Sequence, residues 1–145
     1  MNRQRKWDKR FLGLSSHVSE WSKDPSTKVG AIITNGIKIV SMGFNGLPQQ
    51  VPDHPEILNN REVKYKHIIH AEMNAILTAQ RDLKGCTIYT YPFLPCPRCT
   101  SMIVQSGISR VVSVTCRDDR WKNAIDESKS FMDIADIEVI EYSTL

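Results

Sequence analysis

The sequence predicts an α/β fold in which helices cover a layered sheet. After a first helix and a hairpin, strand-like and helix-like segments alternate, giving the order α-β-β-α-β-α-β-α-β. The 145 residues match the usual size of one domain, and neither an internal repeat nor a linker divides them. We therefore expect a single domain over residues 1–145.

Apolar periodicity and turn signals define each element in turn. Helical spacing of apolar residues predicts helices, alternation predicts strands, and Asn35-Gly36 is a two-residue hairpin signal. A polar stretch with three prolines predicts a long loop, which in a compact domain is usually functional or disordered. The predicted elements are a helix over 5–22, strands over 29–34 and 37–44, a loop over 47–66 with a turn of helix near 56–63, a helix from His70 to Lys84-Gly85, a strand over 86–91, a helix from Cys96 to Gly107, a strand over 110–115, a helix over 120–133 and a strand over 137–142.

Composition and charge exclude several classes of protein. With 41% hydrophobic and 24% charged residues, the chain is neither low-complexity nor disordered. No apolar run approaches the roughly 20 residues that a membrane helix needs, and no apolar signal core follows the basic N-terminus. The net charge of +3 is too weak to indicate a nucleic-acid surface. We therefore expect a cytoplasmic protein (host cytoplasm if the source is viral), with neither membrane nor nucleic acid as a partner.

Two short segments carry the residue types of a metal site. One is His70-Ala71-Glu72, and the other contains Cys96 and Cys99 within Pro-Cys-Pro-Arg-Cys. Both lie at predicted helix starts, where unpaired backbone N–H groups and the helix dipole favour thiolates. Two thiolates and one imidazole give zinc three ligands and leave a fourth position for water, which is the catalytic pattern. Glu72, two residues from the histidine, is placed to move protons without binding the metal.

The cysteine pair alone has other interpretations. Cys-x-x-Cys can be half of a structural zinc site or a thioredoxin-type redox pair. A structural site needs four ligands, but Cys86 and Cys116 do not form a second close pair, and we interpret them as ordinary buried thiols. A redox pair has no need of His-x-Glu upstream. The combined pattern H-x-E…P-C-x-x-C is the signature of zinc deaminases.

Three further segments extend the resemblance. The segments are Ser22-Lys-Asp-Pro-Ser-Thr-Lys-Val-Gly-Ala31, Gly43-Phe-Asn-Gly46 and His70-Ala-Glu-Met-Asn-Ala-Ile76. From about residue 21 to residue 115 the chain resembles the cytidine and deoxycytidylate deaminase superfamily, and within it the deoxycytidylate deaminases. The resemblance implies a three-layer α/β/α cytidine-deaminase-like fold with a central five-stranded mixed sheet. The segment from Tyr91 to Pro95 departs from the pattern, because it is longer than the common Thr-x-x-Pro-Cys.

The resemblance also implies a reaction. His70, Cys96 and Cys99 would hold one catalytic Zn²⁺ per chain, and Glu72 would shuttle protons while water attacks C4 of cytosine. The implied activity is hydrolytic deamination of dCMP to dUMP and ammonia in the supply of dTMP precursors. Alternatives are a deaminase of cytidine, of guanine or of tRNA adenosine, and a silent binding protein on the same scaffold. A tRNA enzyme would need a basic, aromatic surface, and a silent protein would have no need of Glu72.

Substrate-binding residues follow from the same resemblance. Asn45 would bind the sugar hydroxyl, although an asparagine between glycines also suits a left-handed turn. Val29 and Ala71 would line the base. The substrate phosphate would contact at least one residue of the loop between the first helix and the first strand, although two lysines there are also typical of a solvated loop. The candidates for that contact are Ser22, Lys23, Ser26 and Lys28.

Regulation and assembly are implied by the resemblance as well. Such enzymes are typically homohexamers activated by dCTP and inhibited by dTTP, with Mg²⁺ accompanying the triphosphate. The candidate regulatory residues are Gly43, Phe44, Asn45, Gly46 and Arg81, and Arg81 is equally typical of a helix C-terminus. A second zinc is not expected, since His54 and His67 lack cysteine partners nearby.

Overall fold

The computed structural model describes residues 2–145. The elements are α1 (Arg3–Ser19), β1 (Gly30–Asn35), β2 (Lys38–Phe44), α2 (Pro55–Leu58), α3 (Arg61–His67), α4 (Ala71–Ala79), β3 (Thr87–Tyr91), α5 (Pro97–Ser106), β4 (Arg110–Val114), a 3₁₀ turn (Asp119–Trp121), α6 (Lys122–Ile134) and β5 (Glu138–Tyr142). The strands form one sheet in the order β2-β1-β3-β4-β5. β1 pairs antiparallel with β2 and β3, whereas β3, β4 and β5 run parallel. The predicted five-stranded mixed sheet is therefore confirmed.

The two faces of the sheet bury separate apolar clusters, because successive strand side chains point to opposite faces. One cluster joins α1 to β1, β3 and β4 through Phe11, Leu12, Val18, Ile32, Tyr89, Val112 and Val114. The other joins α4, α5 and α6 to the opposite face through residues that include Ala75, Ile103, Met132, Ile33, Ile88 and Val111. Helices thus cover both faces, which is the expected three-layer arrangement. No helix between residues 2 and 145 is both long and apolar enough to cross a membrane.

Helix α4 is shorter than the sequence predicts. The expected end at residues 84–85 is wrong, because the helix ends at Ala79 and Gln80 adopts a left-handed conformation with φ of 49°. A left-handed residue after the last helical turn directs the chain away from the helix axis. Arg81 therefore lies beyond the helix, where its Nε donates to the carbonyl of the next residue, and not within the helix as the expected end at residues 84–85 implied.

The polar stretch over residues 47–66 contains more helix than the single turn predicted. α2 and α3 both form within and just beyond it. The side chain of Asn60 caps α3 by accepting a hydrogen bond of 3.2 Å from the backbone N–H of Val63. Leu58 and Lys64 are buried, so this segment packs against the rest of the domain.

Strand β2 lies directly against α4. A methyl group placed on Gly43 would lie 2.5 Å from backbone atoms of Ala71 and Ala75, so only glycine fits this approach. The hydroxyl of Ser41 donates to the carbonyl of Ala75 over 2.7 Å, and Asn74 Nδ2 donates to the carbonyl of Phe44 over 2.8 Å. These contacts fix where α4 begins relative to the sheet.

Asp8 ties α1 to three strands of the sheet. Its fully buried carboxylate accepts hydrogen bonds of 2.8 and 2.7 Å from Arg110, 2.9 Å from Tyr89 and 2.6 Å from Tyr142. Burial opposes the charge, but the hydrogen bonds from Arg110, Tyr142 and Tyr89 more than offset it and hold the pKa of Asp8 below its ordinary value. The carboxylate is therefore charged in the folded protein at neutral pH.

Replacement of Asp8 by Asn is expected to destabilise the fold by about 3 kcal/mol, because breaking a buried pair leaves Arg110 without its carboxylate. The pKa of Asp8 is lower in the folded chain than in the unfolded chain, where it lies near 3.8. The stabilisation is therefore present above that value and is lost as the pH falls through the folded pKa. Urea unfolding between about pH 3 and pH 7 should show a shallower acid dependence for Asp8→Asn than for the parent.

Glu62→Gln is the control for this measurement. It removes the exposed partner of Lys66 on α3 and should change the free energy of unfolding by less than about 0.5 kcal/mol. An Asp8→Asn protein as stable as its parent at neutral pH would contradict the role assigned to the buried carboxylate.

Candidate active site

His70, Cys96 and Cys99 come together where two helices begin. His70 is the N-cap of α4 and Cys96 is the N-cap of α5. His70 Nδ1 lies 3.4 Å from Cys96 Sγ and 3.3 Å from Cys99 Sγ, and the three atoms all lie within 4.8 Å of one another. Ligands of a tetrahedral zinc ion, each about 2.0–2.3 Å from the metal, stand about 3.3–3.8 Å apart. The three side chains, called the donor set below, therefore fit zinc.

The electrostatics of the donor set favour a thiolate at Cys96. Hydrogen bonds from the Cys99 thiol, from His70 and from the Cys99 backbone N–H lower the pKa of Cys96 to about 4. The same hydrogen bond to Cys96, together with burial, raises the pKa of Cys99, and the pKa of His70 is raised mainly by its hydrogen bond with Cys96. Soft thiolate and imidazole donors are those that zinc prefers.

Glu72 lies in the first turn of α4, two residues from the histidine. Its side chain is 4% exposed, and burial raises the pKa of Glu72 to about 7. Within residues 2–145, no lysine or arginine lies within 4.0 Å of its carboxylate. A carboxyl group in such surroundings can hold or release a proton near neutral pH.

One cavity of about 720 Å³ connects these groups. His70, Ala71, Glu72 and Cys96 all contribute to its lining. The remaining wall comes from the loop before β1, from the end of β2, from α2 and α3, from residues 93–94 and from residues 120–125. The cavity is large enough for a small organic ligand and has a few convergent polar groups, as ligand sites usually do.

The sequence matches a known family over most of its length. The model of the cytidine and deoxycytidylate deaminase zinc-binding region matches residues 5–115. This chain belongs to that deaminase family. The resemblance drawn from the His-x-Glu and Cys-x-x-Cys segments is therefore confirmed.

Two relatives place the chain within the deaminase family. An uncharacterized deaminase in the luxG 3′ region of Aliivibrio fischeri is 47% identical over 137 residues, covering 92% of each chain. Human deoxycytidylate deaminase is 37% identical over 115 residues, which are 73% of this chain and 63% of the human protein. The chain thus spans less than two thirds of the human relative.

A solved structure has the same fold. The dCMP deaminase of cyanophage S-TIM5, in complex with dCMP and dUMP, superposes with a TM-score of 0.73 and 22% sequence identity, covering 98% of this chain and 99% of the phage chain. At that identity the likeness concerns the fold alone, and it supports the three-layer architecture of this deaminase.

The structure brings some of the predicted substrate-binding residues to the cavity and leaves others outside it. The predicted residues that line the cavity are Val29, Asn45, Ala71 and Ser26. Ser22 is buried and donates to the carbonyl of Asn45 over 2.8 Å, Lys23 is exposed and pairs with Asp53, and Lys28 is exposed. These three do not contribute to the lining. The roles of all the predicted residues stay predictions.

Asn45 is engaged with the loop before β1. Its Oδ1 accepts from the backbone N–H of Val29 over 2.9 Å, and its Nδ2 donates to the carbonyl of Thr27 over 2.8 Å. The side chain of Asn45 therefore holds this loop against the end of β2. Its backbone is not left-handed, because the positive-φ residues other than glycine between residues 2 and 145 are Gln80 and Asp136.

Some of the predicted regulatory residues are buried and others are exposed to solvent. Gly43 packs against α4 and Asn45 is buried, so that Phe44 and Gly46 are the members of the 43–46 turn that reach solvent. The Phe44 ring meets Trp21 edge-on, 6.1 Å between ring centroids. Arg81 is exposed beyond the end of α4.

Sequence reasoning missed a set of cationic and aromatic residues in the cavity wall. They are Arg61, Lys64, Tyr65, Phe93, Arg120 and Trp121. Five of them belong to segments whose shape depends on packing, namely α3 and the residues before α6. The capping residue Asn60 was a usable signal for the start of α3, but nothing local indicated what the helix would face. Cys86 is buried just before β3 and Cys116 is half-buried after β4, and all four cysteines are free.

Proposed function

We propose that this protein hydrolytically deaminates dCMP to dUMP and ammonia, using one zinc ion per chain. The observation that carries the proposal is the buried Glu72 carboxyl group beside the donor set, at the wall of a cavity of about 720 Å³. Relatives that are deoxycytidylate deaminases support dCMP as the substrate over cytidine, guanine or a tRNA adenosine.

The donor set would hold the metal, because its atoms and their spacing suit tetrahedral zinc. When bound, zinc supplies Lewis-acid activation of water, lowering the pKa of that water to about 7. His70 and Cys96 are the N-caps of α4 and α5, so the two helices determine where the backbone of each residue lies.

Glu72 would carry the protons of the reaction. It accepts a proton from the attacking water as the C4–O bond forms, and it passes this proton to N3. It then accepts the proton of the new hydroxyl group at C4 and passes it to the exocyclic amine. The C4–N bond then breaks, ammonia leaves and uracil remains. Ala71 lines the cavity at the start of α4, where backbone N–H groups have no acceptor within the helix and are available to the substrate.

The wider setting is part of the same proposal. The reaction would supply a precursor of dTMP in the cytoplasm, in a homohexamer activated by dCTP with Mg²⁺ and inhibited by dTTP. Support comes from the deoxycytidylate deaminase relatives and from the exposure of Phe44 in the 43–46 turn, which a neighbouring subunit or a nucleotide can reach.

Replacing Glu72 by Gln should lower the rate of dCMP deamination by about 10³-fold or more while zinc stays bound, because the amide cannot move protons. Ammonia release and zinc content are measured on the same sample. Glu56→Gln on α2, an exposed carboxylate outside the cavity lining, is the matched control and should keep the parent rate. A fully active Glu72→Gln protein would contradict the role of Glu72 in proton transfer.

The purified protein is expected to contain one zinc per chain, and Cys96→Ser should lose it because one of three donors is weakened. Cys116→Ser, which changes a half-buried cysteine away from the donor set, should keep the full zinc content. Metal analysis by mass spectrometry checks both. A Cys96→Ser chain with undiminished zinc would rule out the assigned donor set.

Regulation is tested on the unmodified protein. dCTP with Mg²⁺ is expected to raise the initial rate at low dCMP concentration, and dTTP is expected to lower it. Sedimentation in the same buffers reports the subunit number. A rate indifferent to both nucleotides would remove regulation from the proposal and leave the catalytic part standing.

A further inference from the structure

The segment over residues 92–95 leads from strand β3 to Cys96, and it has little backbone support. Its four residues belong to no helix or strand, and two of them are prolines, which have no backbone N–H to donate. Between residues 2 and 145, no backbone–backbone hydrogen bond is made by any of the four. Phe93 and Cys96 nevertheless line the cavity. The position of the 92–95 segment therefore depends on contacts made by side chains.

A hydroxyl group near the end of β3 makes the polar contact with this segment. Thr90 Oγ1 donates a hydrogen bond of 2.7 Å to the carbonyl of Phe93. Between residues 2 and 145, this is the one hydrogen bond that joins residues 92–95 to the rest of the chain. The side chain of Thr90 is fully buried, so water does not compete for the bond. The carbonyl of Phe93 is thus held at a fixed distance from the sheet.

Thr90 is in turn bonded to the neighbouring strand. Ser113 Oγ on β4 is fully buried and donates to the carbonyl of Thr90 over 2.7 Å. The two strands run parallel and pair Tyr89 with Val112, so Thr90 and Ser113, one residue further along each strand, lie side by side on the same face. Two successive hydroxyl-to-carbonyl bonds therefore connect β4 with the 92–95 segment. We call Ser113 and Thr90 the hydroxyl relay.

The length of the segment explains why this chain needs the hydroxyl relay. The stretch from Tyr91 to Pro95 is longer than the Thr-x-x-Pro-Cys pattern, so Cys96 is further along the chain from the sheet than that pattern would place it. The ring of Phe93 packs against Trp121, with 5.5 Å between the ring centroids. Phe93 is therefore held through its carbonyl on one side and through its ring on the other, shortly before the chain reaches Cys96.

We propose that Thr90, supported by Ser113, is a positioning residue for the zinc site. Its hydroxyl fixes the segment that leads to Cys96, and thereby the place of that sulfur relative to His70 and Cys99. Thr90 and Ser113 lie outside the cavity lining, so they act through the segment and contact neither substrate nor metal. This inference rests on the proposed function for the identity of the metal, and it adds a determinant of metal affinity outside the donor set.

The test measures how tightly the purified protein holds zinc after Thr90→Val. Valine has nearly the shape of threonine but cannot donate a hydrogen bond. Competition with a chelating dye should show the zinc dissociation constant rising about 10-fold, since groups that orient metal ligands typically contribute that much. Thr90→Ser keeps the donor and should stay within about twofold of the parent.

Thr34→Val is the matched control. Thr34 on β1 is as fully buried as Thr90, but its Oγ1 has no hydrogen-bond partner between residues 2 and 145. The same replacement there should leave the zinc dissociation constant within about twofold of the parent. Urea unfolding of each variant reports stability separately. A Thr90→Val protein that is less stable but holds zinc as tightly as the parent would overturn the positioning role.

Ser113→Ala tests the hydroxyl relay should Thr90→Val fail to fold. It leaves the bond from Thr90 to Phe93 in place but removes the bond that holds Thr90 to β4. The zinc dissociation constant should rise about threefold, as for the loss of one neutral hydrogen bond. A constant unchanged by Ser113→Ala would contradict the relay.

Zinc retention separates this inference from the proposed function. A parent protein that holds zinc but releases no ammonia from dCMP contradicts the deamination, and the variants of Thr90 still decide the positioning role. A parent that deaminates dCMP, with zinc held equally by Thr90→Val and Thr34→Val, contradicts the positioning role alone. A parent that binds no zinc overturns both.

Discussion

The contact between β2 and α4 is the constraint on which the site depends. Because Gly43 has no side chain, the backbone of α4 approaches the strand closely, and Ser41 and Asn74 fix its register. With α4 fixed, His70 at its N-cap meets Cys96 at the N-cap of α5, and Glu72 lies beside them in the first turn. A side chain at residue 43 would move the histidine and the carboxylate together, since both belong to the same turn.

A second constraint joins parts of the chain that are distant in sequence. Asp24 lies between the cation of Lys64 at 3.0 Å and the amide of Asn45 at 3.4 Å. The loop before β1, the end of β2 and helix α3 are therefore held as one wall of the cavity. A buried ion pair gives little net stability, because desolvation of both charges offsets their attraction. Its effect here is to fix the relative positions of three segments that face the substrate.

Local signals were enough to predict the sheet and the donor set. Periodicity located all five strands. The structure brings His70, Cys96 and Cys99 together and places Glu72 in the lining of the same cavity, while their roles stay predictions. Features that depend on tertiary contacts were missed. The end of α4 is decided by the left-handed Gln80, and the partner of Asp24 is 40 residues away on a helix that looked like loop. For the same reason Arg61 is absent from the predicted residues, because its position facing the cavity is visible only in the fold.

The charges of the cavity wall give a ligand one favourable orientation. Near Glu72, a phosphate would meet a buried carboxyl group that has no lysine or arginine within 4.0 Å among residues 2–145. Elsewhere in the wall of the same cavity, the phosphate would meet the cationic side chains of Arg61, Lys64 and Arg120. Repulsion near the Glu72 carboxyl group and attraction near the three cationic side chains favour the same orientation of an anionic ligand. An anionic nucleotide would therefore enter with its base toward Glu72, which is the orientation that deamination at C4 requires.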